Sequence, residues 1–159
     1  MKAGQFFGKG LITAMVMSSA ILFSSCNKDD DDNPSRTYAI SGNASGSQVV
    51  PSVAGSGTGS ISGTYDPNNR TLTYTTNWNG LTGVPTTGSF YTGASGVNGT
   101  AVGTPWTFGA GSTATGSTSG TMTLTDDQAA SLTSGGWYYS YGTATNPAGE
   151  VRGQITAAQ

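Results

Sequence analysis

The stretch RTLTYTTNW, residues 70–78, decides the architecture of this chain. Leu72, Tyr74, Thr76 and Trp78 fall on one side of an extended backbone, and Thr71, Thr73, Thr75 and Asn77 on the other. Successive side chains of a strand point to opposite faces, so strict alternation marks a half-buried β-strand. Just upstream, GSISGTY (59–65) puts Ile61 and Tyr65 on a common face. Between the two runs, DPNN (66–69) supplies turn residues, with proline suited to the second position of a type I turn. The pair predicts a β-hairpin.

Working outward, short runs of aromatic, β-branched and threonine residues recur between glycine-containing turns. They are RTYAISG (36–42), PTTGSFYTG (85–93), TPWTFGAG (104–111), TSGTMTLT (118–125), GWYYSYG (136–142) and GEVRGQI (149–155). No fixed-period repeat links them. Strands at this spacing predict an all-β fold, an antiparallel, Greek-key-like β-sandwich. The periodicity also argues against a low-complexity disordered chain, despite the 25 glycines. One segment breaks the pattern. In TDDQAASLTSGG (125–136), Thr125 and Gln128 have the spacing of a capping box. Asp126 and Asp127 suit the positive end of a helix dipole, and Gly135 and Gly136 can end the turn. A short helix is expected over 126–132, closing one end of the sandwich.

The N-terminus reads as an export signal. Lys2 and Lys9 precede LITAMVMSSAILF (11–23), an apolar run of signal-peptide length and too short to span a membrane comfortably. FSSC (23–26) then resembles the lipobox of bacterial lipoproteins, with Phe23 where leucine is more usual. The resemblance implies that Cys26 is acylated, anchoring the chain to a membrane. As Cys26 is the only cysteine, a disulfide has no second partner. Next come Lys28, Asp29, Asp30, Asp31 and Asp32, a run with nothing apolar to pack, which like-charge repulsion extends into a tether. It also resembles the surface-export signal of some Gram-negative lipoproteins. Calcium binding is the weaker reading, since the run has no loop to fix oxygen geometry. The expected organisation is a signal peptide (1–25), an acylated cysteine and acidic tether (26–36), a β-domain (37–156) and a short tail (157–159). The expected location is a bacterial outer membrane, with the domain facing the cell surface.

From residue 37 onward the charged side chains are Arg70 and Arg152 against Asp66, Asp126, Asp127 and Glu150. With no basic patch, nucleic acid is not an expected partner.

The run LTDDQAASLTSGGWYYSYGTATNPAGEVRGQI (124–155) resembles the end of a chordin-type (CHRD) domain. The most specific part is NPAGEVRGQ, whose Gly149, Glu150, Arg152, Gly153 and Gln154 match the family's closing motif. SGSQVVPSVAGSGTGSISGTYD (45–66) matches its opening more loosely, with Val49 where glutamate is usual. The resemblance implies a β-sandwich over about residues 37–156. Relatives commonly carry histidine-x-histidine in mid-domain and histidine-threonine in the penultimate strand. The matching positions here are Ser89, Phe90 and Tyr91, then Gly142 and Thr143, and the chain has no histidine at all.

Catalysis accordingly lacks its usual parts. Without histidine there is no imidazole base or ligand, an acylated Cys26 is no nucleophile, and the domain has no lysine. Neither enzymatic activity nor a metal or other cofactor is expected. Glu150 and Arg152, at i and i+2, are expected on one face of a strand with Gln154 beyond, and Val151 and Ile155 toward the core. They read as a register-fixing polar strip in preference to a recognition strip. Trp137, Tyr139 and Tyr141 share the face opposite Tyr138 and read as core. The competing reading makes Trp137 or Tyr138 an exposed contact for a glycan or protein partner. The triplets at Asn43, Asn69 and Asn98 match glycosylation acceptors and read as turn sequence.

Overall fold

The computed structural model describes residues 36–159. Its elements in chain order are β1 (Tyr38–Ser45), β2 (Thr58–Asp66), β3 (Thr71–Asn79), β4 (Pro85–Thr92), β5 (Ala101–Val102), β6 (Gly116–Thr123), α1 (Asp126–Thr133), β7 (Trp137–Thr143), β8 (Val151–Gln154) and β9 (Thr156–Ala158). The central hairpin forms as read, with Tyr65 opposite Leu72 and Asp66 opposite Thr71. In its turn the Asp66 carboxylate accepts from the Asn68 N–H at 2.9 Å, and Arg70 takes φ 55° to bring the chain round. The helix is capped as its sequence predicts. Thr125 Oγ1 accepts from Gln128 N at 3.2 Å, and Gln128 Oε1 accepts from Thr125 N at 3.0 Å. Gly135, at φ 76°, ends the helix by donating to Leu132 O, while Gly136 reaches Ser131 O.

The fold is antiparallel and sandwich-like, and its two layers belong to one curled sheet in the order β5-β4-β7-β8-β1-β2-β3-β6, with β9 also beside β1. The segment 151–158 makes this possible. It pairs with β7 through Tyr138–Gln154 to Tyr141–Val151, and with β1 at Ser45–Arg152 and again at Ala39–Ala158 to Ser41–Thr156. One strand region thus turns the corner between layers. A close approach lets it do so. A Cβ on Gly42 would stand 2.4 Å from Gln154 O, and one on Gly153 would stand 2.6 Å from the Tyr139 ring. Two expectations are corrected by this geometry. Residues 157 and 158, read as tail, are strand, held by the edge of β1. TPWTFGAG forms no strand: past β5 it stays beside β4, where Trp106 N donates to Gly88 O at 2.8 Å.

Between the layers lies an aromatic core. Tyr74 meets Phe90 edge-on at 4.7 Å, Trp78 lies 5.0 Å from Tyr141, and Trp106 bridges Phe90 and Tyr141 at 5.1 Å from each. Such pairs add about 0.5–1.5 kcal/mol each beyond the area they bury. Their polar atoms are partnered across the interior: Thr76 Oγ1 with Tyr141 OH, and Trp106 Nε1 with Tyr74 OH at 3.0 Å. Ile40, Ile61, Leu72, Leu132, Val151 and Ile155 join the same core.

Candidate functional site

Side chains directly opposite one another in an antiparallel sheet share a face. On the outer face of β4, β7 and β8 this gives two cross-strand rows, Ser89–Ser140–Arg152 and Tyr91–Tyr138–Gln154. Thr87–Gly142 forms a third line beside them. Ser89, Tyr91 and Gly142, singled out by the family resemblance as the positions matching its histidines, therefore share one surface. That surface is roofed by loops. The 93–99 loop and the turn at 46–53 cover it, leaving Ser89, Ser140 and Arg152 buried and Tyr91 half-buried.

Arg152 is the centre of this arrangement. Its guanidinium lies 3.6 Å from the centroid of the Tyr138 ring, which itself stacks on Tyr91 at 5.1 Å and 11°. Nη2 donates to Ala94 O at 2.8 Å and Val97 O at 2.9 Å, and Nη1 to Asn98 Oδ1 at 3.4 Å. Burial lowers its pKa from the ordinary guanidinium value, partly offset by Tyr138. Among the described residues the salt bridge is Arg70–Asp126, at 2.9 Å on the surface, so no carboxylate balances Arg152. Only 2 % of Arg152 is exposed. Beside it opens a cleft of about 190 Å³ walled by Val49, Tyr91, Asn98, Tyr138 and Ser140. Asn98, read from sequence as part of a turn, ties the roof together by also donating to Val50 O at 2.8 Å.

Glu150 takes another direction, contrary to expectation. It lies in a bend before β8, after Gly149 at φ 137°, so strand alternation does not extend to it. Its carboxylate accepts from Thr82 N at 2.7 Å, Thr82 Oγ1 at 2.6 Å and Thr143 Oγ1 at 2.6 Å. Burial pushes the carboxyl pKa up, but hydrogen bonds from Thr143, Thr82 and Asn146 outweigh it and hold the pKa below the ordinary carboxylate range. Nothing in the sequence pointed to Thr82, which lies 68 positions away. Gln154 remains on the outer face and donates to the carbonyls of Gly93, Gly135 and Trp137.

The two candidate contact aromatics are not on the surface. Trp137 is fully enclosed in the core, and Tyr138, though on the opposite face, is covered by Arg152 and the 93–99 loop, with its OH accepting from Gly99 N at 3.2 Å. Alternation identified their faces correctly, but the outer face is buried too. Of the acceptor triplets, Asn69 and Asn98 lie in turns or loops, whereas Asn43 sits within β1. A second cleft, about 410 Å³, opens beside the edge of Trp78 and is lined by Asn43, Ser60, Asn77 and Asn79. Among the described residues no three His, Cys, Asp or Glu side chains gather as a metal site. Cys26 and the tether residues Lys28, Asp29, Asp30, Asp31 and Asp32 lie outside the described residues, as does the signal segment.

A protein-family model described as CHRD domain matches residues 40–155. No curated protein and no solved structure matches the chain.

Proposed function

Since the chain belongs to the CHRD-domain family, we propose that it is a lipid-anchored bacterial lipoprotein presenting a non-catalytic CHRD-type β-domain at the outer face of an outer membrane. The observation that carries this reading is the order of features before the domain. An apolar run ends in FSSC, the sole cysteine is followed by four aspartates, and β1 opens at Tyr38 a few residues later. A lipoprotein cysteine bears more than one acyl chain, and two or more chains hold a protein stably where one is marginal. The acidic stalk then keeps the domain in water. The test is Cys26→Ala in the producing cell: the variant should move from the membrane to the soluble fraction and lose incorporation of a palmitate analogue. Undiminished membrane association would overturn the anchor. Protease added to intact cells should clip the stalk, and protection there would overturn the surface orientation.

A second reading, recognition of a glycan or a protein, is supported by the larger cleft. Asn43, Ser60, Asn77 and Asn79 line it with amide and hydroxyl groups and no charge, a chemistry matched to sugar hydroxyls. Glycan-array binding by the full chain that Asn77→Ala removes would favour it. Array binding that the substitution leaves intact would place recognition elsewhere.

A further inference from the structure

We propose that the cleft beneath Tyr138 is a binding site for a small oxyanion, a carboxylate or phosphate group, with Arg152 as its cationic floor. A guanidinium has five N–H donors. Three bonds from Arg152 are present, two of them to backbone carbonyls and one, at 3.4 Å, to a neutral amide, so Nε–H and the second Nη1 hydrogen have no protein acceptor among the described residues. Carbonyl dipoles and the Tyr138 ring solvate the cation without cancelling its charge. A buried charge is ordinarily paired, because leaving it unpaired costs far more than a lost hydrogen bond. The net charge of this pocket is therefore +1, and no acidic side chain lines it.

The surroundings suit an anion of limited size. A volume of about 190 Å³ far exceeds the 10–15 Å³ or so that one water requires. The walls Tyr91 and Tyr138 exclude water from one side and so strengthen any charge-assisted hydrogen bond formed there. Glu150, the nearest acid in sequence, is committed to Thr82 and Thr143 and does not compete.

The test observes the guanidinium itself. In the ¹⁵N-labelled full chain in detergent, inorganic phosphate and, separately, acetate are titrated against chloride at matched ionic strength, following the Arg152 Nε–H resonance. A saturable shift with phosphate or acetate, absent with chloride, is the expected result, and the anion giving the tighter curve identifies the preferred geometry. Asn98→Asp places a fixed carboxylate where Asn98 Oδ1 now meets Nη1, and should weaken the response at least ten-fold. A resonance indifferent to both anions, or one moving equally with chloride, overturns the site. A response undiminished in Asn98→Asp overturns its assignment to this cleft.

Discussion

Glu150 and Arg152 stand two residues apart, are both buried, and share no ion pair: each is solvated by dipoles on a different side of the corner strand. Glu150 fastens the mouth of the core to Thr82 and Thr143, while Arg152 fastens the outer roof through the carbonyls of Ala94 and Val97. Val151 between them enters the core, and the strand passes from one layer to the other. A short motif thereby ties together a loop, a roof and two layers.

Because hydrogen bonds hold the Glu150 pKa below its ordinary value, the fold favours the ionised carboxylate over the protonated one. A depressed folded pKa contributes stability that is fully present above the unfolded value of about 4.3 and lost as pH falls through the folded value. Glu150→Gln should therefore lower stability at pH 7 by about 2–3 kcal/mol, since it takes an ionised acceptor from buried donors. Urea unfolding of the full chain from pH 7 to 3 should show the wild type losing stability below about 4.3 and the variant losing less. Parallel pH profiles would remove Glu150 as the source.

Tyr141 OH and Thr76 Oγ1 satisfy one another in the dry interior, and burial pushes the Tyr141 and Tyr139 pKa values well above the usual tyrosine value. Tyr141→Phe leaves the Thr76 hydroxyl only a long 3.5 Å approach to Thr118 O, so it should cost about 1–3 kcal/mol. Adding Thr76→Val should recover much of that, because removing both partners costs less than orphaning one. A double-mutant cycle by urea unfolding measures the coupling. The raised pKa values also carry a sign. Their stabilising effect is present below about pH 10 and is lost as pH rises, so alkaline unfolding and the last phenolate absorbance should coincide.

The capping box at the start of α1 is a separate, local contribution. Thr125→Ala removes the acceptor for Gln128 N and should lower stability by about 1 kcal/mol, while Thr125→Ser should keep most of it. Equal stability of the two variants in urea would show that the helix is held by Leu132 in the core and not by its cap.

What was legible in the sequence was what depends on neighbours along the chain. The alternation of 70–78, the turn at 66–69, the cap at Thr125 and the shared face of Trp137, Tyr139 and Tyr141 all follow from local spacing, and all are present. What depends on distant packing was not legible. Period two says which side of a sheet a residue faces, but not whether loops cover that side, so Tyr138 and Arg152 are buried on an outer face. Nor does it reveal a bend such as that at Glu150, which sends the carboxylate away from its strand neighbours. TPWTFGAG shows the same limit: Trp106 and Phe108 pack on the core from an irregular segment that supplies aromatic bulk without a ladder.

Aromatic rings and strand glycines are complementary in this core, which explains why a chain so rich in glycine can be well packed. At the Trp78–Gly116 pair, a Cβ on Gly116 would stand 2.6 Å from Trp78 Cζ2, on the strand opposite. Gly116→Ala must displace an indole that is 4 % exposed and whose Nε1 donates to Thr113 O at 3.0 Å. Overpacking of this kind costs about 1–3 kcal/mol. Near-UV circular dichroism should lose part of its tryptophan signal, with a matching fall in the urea midpoint. Gly55→Ala is the control: nothing lies within 4 Å of its added Cβ, so it should stay within about 0.5 kcal/mol of wild type. If Gly116→Ala behaves like that control, the ring does not rest on the glycine, and the tight seat inferred for Trp78 is wrong.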